Sequence, residues 1–184
     1  MRLFIASPLT HEVEEFLAEI IFDLKQKRGR VKWVDANNIH LTLKFLGETD
    51  ENKVDSIISA IKRISVKHKK IDSLVDKIGV FPNLNRPRVI WAGLAESVEL
   101  LKLLARDIEN NMADIGFEKE KRPFKSHLTL GRVKEDSGLY ELKEAIKSYI
   151  IEPQPITFDK IVLFKSTLTR SGPIYDRLLE TNLA

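Results

Sequence analysis

Ile39-His40-Leu41-Thr42-Leu43-Lys44-Phe45-Leu46-Gly47 and Ser126-His127-Leu128-Thr129-Leu130-Gly131-Arg132-Val133 share the tetrapeptide His-Leu-Thr-Leu, 87 residues apart. With 23 Leu and 8 Thr among 184 residues, a given His is followed by Leu-Thr-Leu with a probability of about 7 in 10,000. Two such events among four His have odds of about a few per million, so the repetition is not accidental. Both copies alternate as half-buried strands do, with side chains on opposite faces at successive positions. The first puts Ile39, Leu41, Leu43 and Phe45 on one face and His40, Thr42 and Lys44 on the other. The second puts Leu128 and Leu130 opposite His127 and Thr129, and the same alternation sends Arg132 to the side away from His127.

Working outward, each copy follows a helix. Val13, Phe16, Leu17, Ile20, Ile21 and Leu24 recur at helical spacing after Thr10 and stop before Gly29, and Val98, Leu101, Leu104, Ala105, Ile108 and Met112 do the same before Gly116. Thr10 stands 30 residues before His40, and Ser97 stands 30 before His127. Short strands are expected at Leu3 to Ser7, Val31 to Val34, Ile71 to Val80 and Arg88 to Leu94, and further helices at Val54 to Ile61 and Leu139 to Tyr149. Residues 1–81 and 88–184 therefore read as pseudo-repeat halves of a single bilobal domain over 1–184, joined near 82–87. The fold class expected is α+β, with two antiparallel-rich sheets flanking a central cleft and helices outside.

Composition removes whole classes of function. The chain of 21.1 kDa has 43% hydrophobic and 31% charged residues, enough for a self-supporting core. Cys is absent, which excludes disulfides, thiolate metal sites and a cysteine nucleophile. The longest apolar run, Val89 to Ala95, is far short of the roughly 20 residues that cross a bilayer. Met1 to Pro8 is too short for the apolar core of a signal peptide, so a cytoplasmic protein without a membrane partner is expected. The net charge of +3 leaves the binding of an anion to local clusters: Lys25 to Lys32, Lys67 to Lys70, and Lys119 to Lys125.

Two imidazoles facing one cleft can hold one neutral base and one protonated acid together near neutral pH. A threonine hydroxyl two residues on shares each His face and can donate to an oxyanion with little loss of side-chain freedom. Such a set, His40 with Thr42 and His127 with Thr129, is suited to phosphoester cleavage. No His-Glu-x-x-His spacing offers a zinc site, and no Walker or dinucleotide loop is present, so neither metal nor cofactor is expected.

At this point the sequence resembles the 2H phosphoesterases, and within them the RNA 2′,3′-cyclic phosphodiesterases, also called 2′-5′ RNA ligases. The resemblance rests on Arg2-Leu3-Phe4-Ile5-Ala6, the two motifs, Phe81-Pro82, Pro87 to Leu94, and Ser166 to Tyr175. Ser126 departs from it where relatives often carry proline. The resemblance implies a metal-independent enzyme opening RNA 2′,3′-cyclic phosphate ends to 2′-phosphates, with tRNA-derived ends among the candidates. His40 would be proton donor and His127 acceptor, Thr42 and Thr129 would hold the phosphate, and the chain would act as a monomer. The resemblance also implies a reversible joining of RNA ends through a 2′-5′ linkage, the same two histidines serving both directions. Further RNA contacts are expected at Lys121 and Arg122, at Phe124 as a stacking ring, and at Arg132. Two alternatives stay open, a non-catalytic module that binds RNA ends and a phosphodiesterase of small cyclic nucleotides.

Overall fold

The computed structural model describes residues 1–170 and 172–184; Ser171, part of the segment quoted for the resemblance, lies outside the described residues. Nine strands and four helices run in the order β1 (Arg2–Pro8), α1 (His11–Lys25), β2 (Val31–Trp33), β3 (His40–Glu48), α2 (Val54–Ser65), β4 (Ile71–Phe81), β5 (Val89–Leu94), α3 (Val98–Asp114), β6 (His127–Val133), α4 (Tyr140–Ser148), β7 (Gln154–Phe158), β8 (Lys160–Leu168) and β9 (Pro173–Asn182). Among the described residues every strand pairing is antiparallel. The strand order is β7-β4-β5-β6-β3-β1-β8-β9, with β2 pairing β6. Two blocks, β7-β4-β5-β6 and β3-β1-β8-β9, are stitched by one residue pair, Leu41 with Leu128. The expected α+β architecture of two antiparallel lobes is therefore present, in one hydrogen-bonded sheet that is nearly divided at its centre.

The blocks interleave along the chain. β4, from the first half of the sequence, lies beside β5, while β8, from the second half, lies beside β1. A single hydrophobic core covers one face of both blocks, joining Leu17 and Ile20 of α1, Ile57 and Ile61 of α2, Leu104 and Ile108 of α3, and Leu142 and Ile146 of α4 to inward strand residues such as Ile5, Leu41, Ile90, Leu128 and Leu163. The opposite face is left without helices and carries a small separate cluster of Phe4, Ala6, Val162 and Phe164, with Tyr175 packed against it.

Strand alternation holds through both motifs and then breaks. β1 pairs Ala6 with Thr42 but Ile5 with Lys44, so Leu43 is an extra residue and the parity of β3 flips after it. Lys44 consequently turns inward, 6% exposed, and Phe45 turns outward, 66% exposed, the reverse of simple alternation. β6 does the same: Trp91 pairs with Thr129 but Ile90 with Gly131, so Leu130 is the extra residue. Arg132 therefore shares the face of His127 and Thr129, and its expected placement on the other side is corrected. The C-terminal strands β7 to β9 had no sequence reading; β8 carries Ile161 to Phe164 buried on both sides, which leaves no period-two signal.

The inward turn of Lys44 needs a partner, since an unpaired buried ammonium is costly. Its Nζ donates to Glu109 Oε1 of α3 at 2.6 Å and to the Glu118 carbonyl at 3.0 Å, while Glu109 Oε1 also accepts the Glu120 amide at 2.9 Å. One buried ion pair thus ties the strand of the first motif to the loop that enters the second. Lys44→Met is expected to cost about 1–3 kcal/mol in thermal or denaturant unfolding, less than a fully buried pair because the Glu109 side chain is 21% exposed. Glu109→Ala is expected to speed hydrogen exchange at the Glu120 amide at least about tenfold; an unchanged rate would mean that the loop is held by other contacts.

Candidate active site

The register around Leu41 and Leu128 builds the site. In an antiparallel pair, counting one residue either way sets His40 opposite Thr129 and Thr42 opposite His127, all four on the face away from Leu41 and Leu128. Leu41 and Leu128 are 1% and 0% exposed, while the four polar residues are half-buried on the open face. The two motifs therefore form one quartet, each imidazole beside the other motif's hydroxyl. Their outer neighbours are Pro8 and Ala6 on one side and Gly93 and Trp91 on the other.

Both imidazoles are oriented in the same way. His40 Nδ1 is 2.8 Å from the carbonyl of Asn38, and His127 Nδ1 is 2.7 Å from the carbonyl of Lys125, each two residues upstream. A carbonyl only accepts, so each Nδ1 carries the proton and each ring offers Nε2 as its reactive atom. Their surroundings differ. His40 stacks on Phe4 at 4.8 Å and on Phe164 at 6.0 Å, with Tyr175 edge-on at 5.6 Å. His127 meets the edge of Phe81 at 5.1 Å. Burial lowers the pKa of His40 to about 4, the Asn38 carbonyl opposing it. Burial also lowers that of His127, against the pull of the Lys125 carbonyl, and the nearby Arg132 charge lowers it further. With no anion between the motifs, both rings are accordingly neutral at pH 7.

Cations rim this face. Arg132 pairs across to Lys32 of β2. Burial raises the Tyr175 phenol, against the lowering charges of Arg132 and Arg2, so both guanidinium groups stand near that ring. Lys125 Nζ lies 5.3 Å from the centre of the Phe81 ring. Lys121 and Arg122 are exposed on the loop before β6, where Arg122 donates its amide to Glu120 Oε1. Phe124, expected as a stacking ring, is half-buried and packs against the main core from this loop. Tyr175 packs against the Phe4 cluster of the open face, and Trp91 lies beside Phe81. His68, 10% exposed and 2.8 Å from Asp107, is far along the chain from either motif. Among the described residues no three His, Asp or Glu side chains cluster as a metal site would require, and no helix is long and apolar enough to cross a membrane.

Comparison with known proteins places this geometry. The sequence model described as LigT like Phosphoesterase matches residues 8–91 and 93–175. A Methanocaldococcus jannaschii protein named RNA 2′,3′-cyclic phosphodiesterase is 38% identical, the match covering 98% of this chain and 99% of that one. A Thermotoga maritima protein of the same name is 35% identical, over 98% and 94%. Among solved structures, a Thermus thermophilus protein superposes with a TM-score of 0.81 at 27% identity, over 100% of this chain and 98% of that one. E. coli LigT complexed with 3′-AMP gives 0.78 at 27% identity, over 99% and 97%.

The depressed His40 pKa has a signed consequence for stability. Between pH 6.5 and about 4 the unfolded chain binds a proton on this ring that the folded chain refuses, so the contribution of His40 is complete above pH 6.5 and is lost as pH falls through that window. His40→Gln is expected to flatten the fall of the unfolding midpoint across this window. In the ligand-free protein, NMR titration of the His40 ring is expected to give a midpoint near 4 that added inorganic phosphate raises; a midpoint near 6.5 would show a solvated ring.

Proposed function

Because the chain belongs to the LigT-like phosphoesterase family, we propose that it hydrolyses RNA 2′,3′-cyclic phosphodiester ends to 2′-phosphomonoesters. The observation that carries the reading is the quartet of His40, Thr42, His127 and Thr129, with both Nδ1 atoms tied to main-chain carbonyls and both Nε2 atoms free to exchange protons. The activity for which the M. jannaschii and T. maritima relatives are named supports the substrate class.

In this reading the cyclic phosphate lies between the two motifs, its non-bridging oxygens held by the Thr42 and Thr129 hydroxyls. Neutral His127 Nε2 takes a proton from the attacking water as the new P–O bond forms. Protonated His40 gives its Nε2 proton to the 3′ oxygen as the P–O3′ bond breaks, leaving a 2′-phosphate and a free 3′ hydroxyl. The burial that keeps His40 neutral at rest makes this donor depend on its substrate, because an anionic phosphate in the cleft restores the charged imidazolium. Afterwards the two rings return to their starting states by proton exchange with solvent. With the 5′ hydroxyl of a second RNA in place of water, the same step forms a P–O5′ bond as P–O3′ breaks and leaves a 2′-5′ linkage; its reverse, with the two rings exchanging roles, regenerates the cyclic phosphate. The matching bulges that follow each motif support reading residues 1–81 and 88–184 as related halves.

Product analysis on an oligonucleotide ending in a 2′,3′-cyclic phosphate is the direct test; a bound but unchanged oligonucleotide would favour a binding module. His40→Ala and His127→Ala are each expected to lower kcat by at least about a hundredfold, and Thr42→Ala and Thr129→Ala by roughly tenfold to a thousandfold. Near-normal turnover in either His variant would remove that residue from the mechanism. Activity is expected to survive EDTA, with a bell-shaped pH dependence belonging to the coupled pair. Loss in EDTA with recovery on adding zinc would replace the two-histidine scheme by metal-bound hydroxide.

A further inference from the structure

Two rows of residues run across the sheet from the second motif to β4. One is His127-Gly93-Lys77 and the other is Thr129-Trp91-Gly79, all on the open face. Each row contains a glycine beneath a large side chain. A Cβ added at Gly79 would collide with the six-membered ring of Trp91, so the indole lies flat on β4. A Cβ added at Gly93 would sit 2.8 Å from Lys77 Cγ, Lys77 Cε and Trp91 Cζ3, so the lysine stem also lies down, beside the indole. The result is a shallow apolar floor with an ammonium group at its border, beginning one strand, about 5 Å, from His127 and Thr129. Phe81, 5.0 Å from Trp91 and carrying Lys125 over its ring, closes the other border.

Trp91 Nε1 is covered and has no hydrogen-bond partner, so the indole presents its face, not its N–H, to a ligand. A flat π surface between two exposed lysines, next to a phosphate-handling quartet, fits a nucleotide: a base stacks on the ring and a phosphodiester meets the ammonium groups. We infer that Trp91, Lys77 and Lys125 form a second nucleotide subsite, which takes the nucleotide preceding the cyclic-phosphate end. The assignment rests on the proposed reaction for the identity of that end. Because stacking reads no base edge, the subsite is tolerant of sequence and distinguishes an RNA end from a mononucleotide.

The test uses wild-type protein and the Lys77→Ala/Lys125→Ala double variant, with two ligands, a 2′-phosphorylated dinucleotide and a 2′-phosphorylated mononucleotide, measured by calorimetry. The dinucleotide is expected to bind wild type at least about tenfold more tightly, and the double variant is expected to lose most of that advantage. Equal affinity of wild type for the two ligands would overturn the subsite. A preference undiminished by the double variant and by Trp91→Leu would place the extra contacts elsewhere, with the same consequence. In kinetics on the corresponding cyclic phosphates, the ratio of kcat/KM for dinucleotide over mononucleotide is expected to fall at least about fivefold in the double variant. If wild type turns over neither substrate, the proposed reaction fails while the binding comparison still decides the subsite.

Discussion

Among the described residues, the contact of Leu41 with Leu128 is the one strand pairing through which the two blocks of the sheet are joined, and the quartet depends on that register. A slip of one residue on either strand would exchange the faces of Leu and His, sending an imidazole into the core and a leucine into the cleft. What forbids the slip is packing. Leu41 and Leu128 belong to the same buried cluster as Leu17, Ile57, Leu104 and Ile90, contributed by elements from both halves of the chain. Burying each such leucine contributes about 1.5–3 kcal/mol, more than a single net hydrogen bond of the ladder. The site is therefore positioned from behind, by apolar side chains that never touch a ligand, and its polar residues need only point away from them.

The paired bulges give this symmetric scaffold two unlike sides. After Leu43 the inward residue is Lys44 and the outward one Phe45; after Leu130 the inward residue is Gly131 and the outward one Arg132. On the first side the extra inward position holds a charge, which draws Glu109 and the 118–120 backbone into the structure. On the second it holds a glycine. Outward, His40 shares its face with rings, while His127 shares its own with a guanidinium and lysines. Two histidines in matching positions thereby acquire different fields, as the proposed donor and acceptor need.

The sequence made the quartet legible because its signal was combinatorial: four identical residues repeated in order outweigh any local propensity. The helices were legible for the usual reason, a 3.6-residue apolar period at Val13 to Leu24 and Val98 to Met112. Three things were not. Parity beyond each motif was hidden, because a bulge is set by partner strands β1 and β5, far away along the chain, and so Lys44, Phe45 and Arg132 were assigned to the wrong faces. The strands β7 to β9 were hidden because β8 is apolar on both faces and β9 is largely exposed on both. The packing of Phe124 was hidden because an aromatic residue among lysines carries no mark of the core that lies behind it.

The electrostatics of the cleft follow from the same layout. His40 is enclosed by Phe4, Phe164 and Tyr175, and His127 is held by burial first and by the nearby Arg132 charge second, so both rings favour the neutral form. Arg2, Lys32 and Arg132 supply the positive charge that rims the face. A phosphodiester arriving between the motifs supplies the negative charge that both the rim and a protonated imidazole require, and it also screens Arg132 from His127. In the proposed reaction binding and protonation are thereby coupled: the cationic rim draws the anion in, and the anion's charge favours the protonated imidazole that must give its proton. In that reading a neutral ligand of the same shape gains neither effect, so the contrast between the cationic rim and the reluctant histidines favours a phosphate ester.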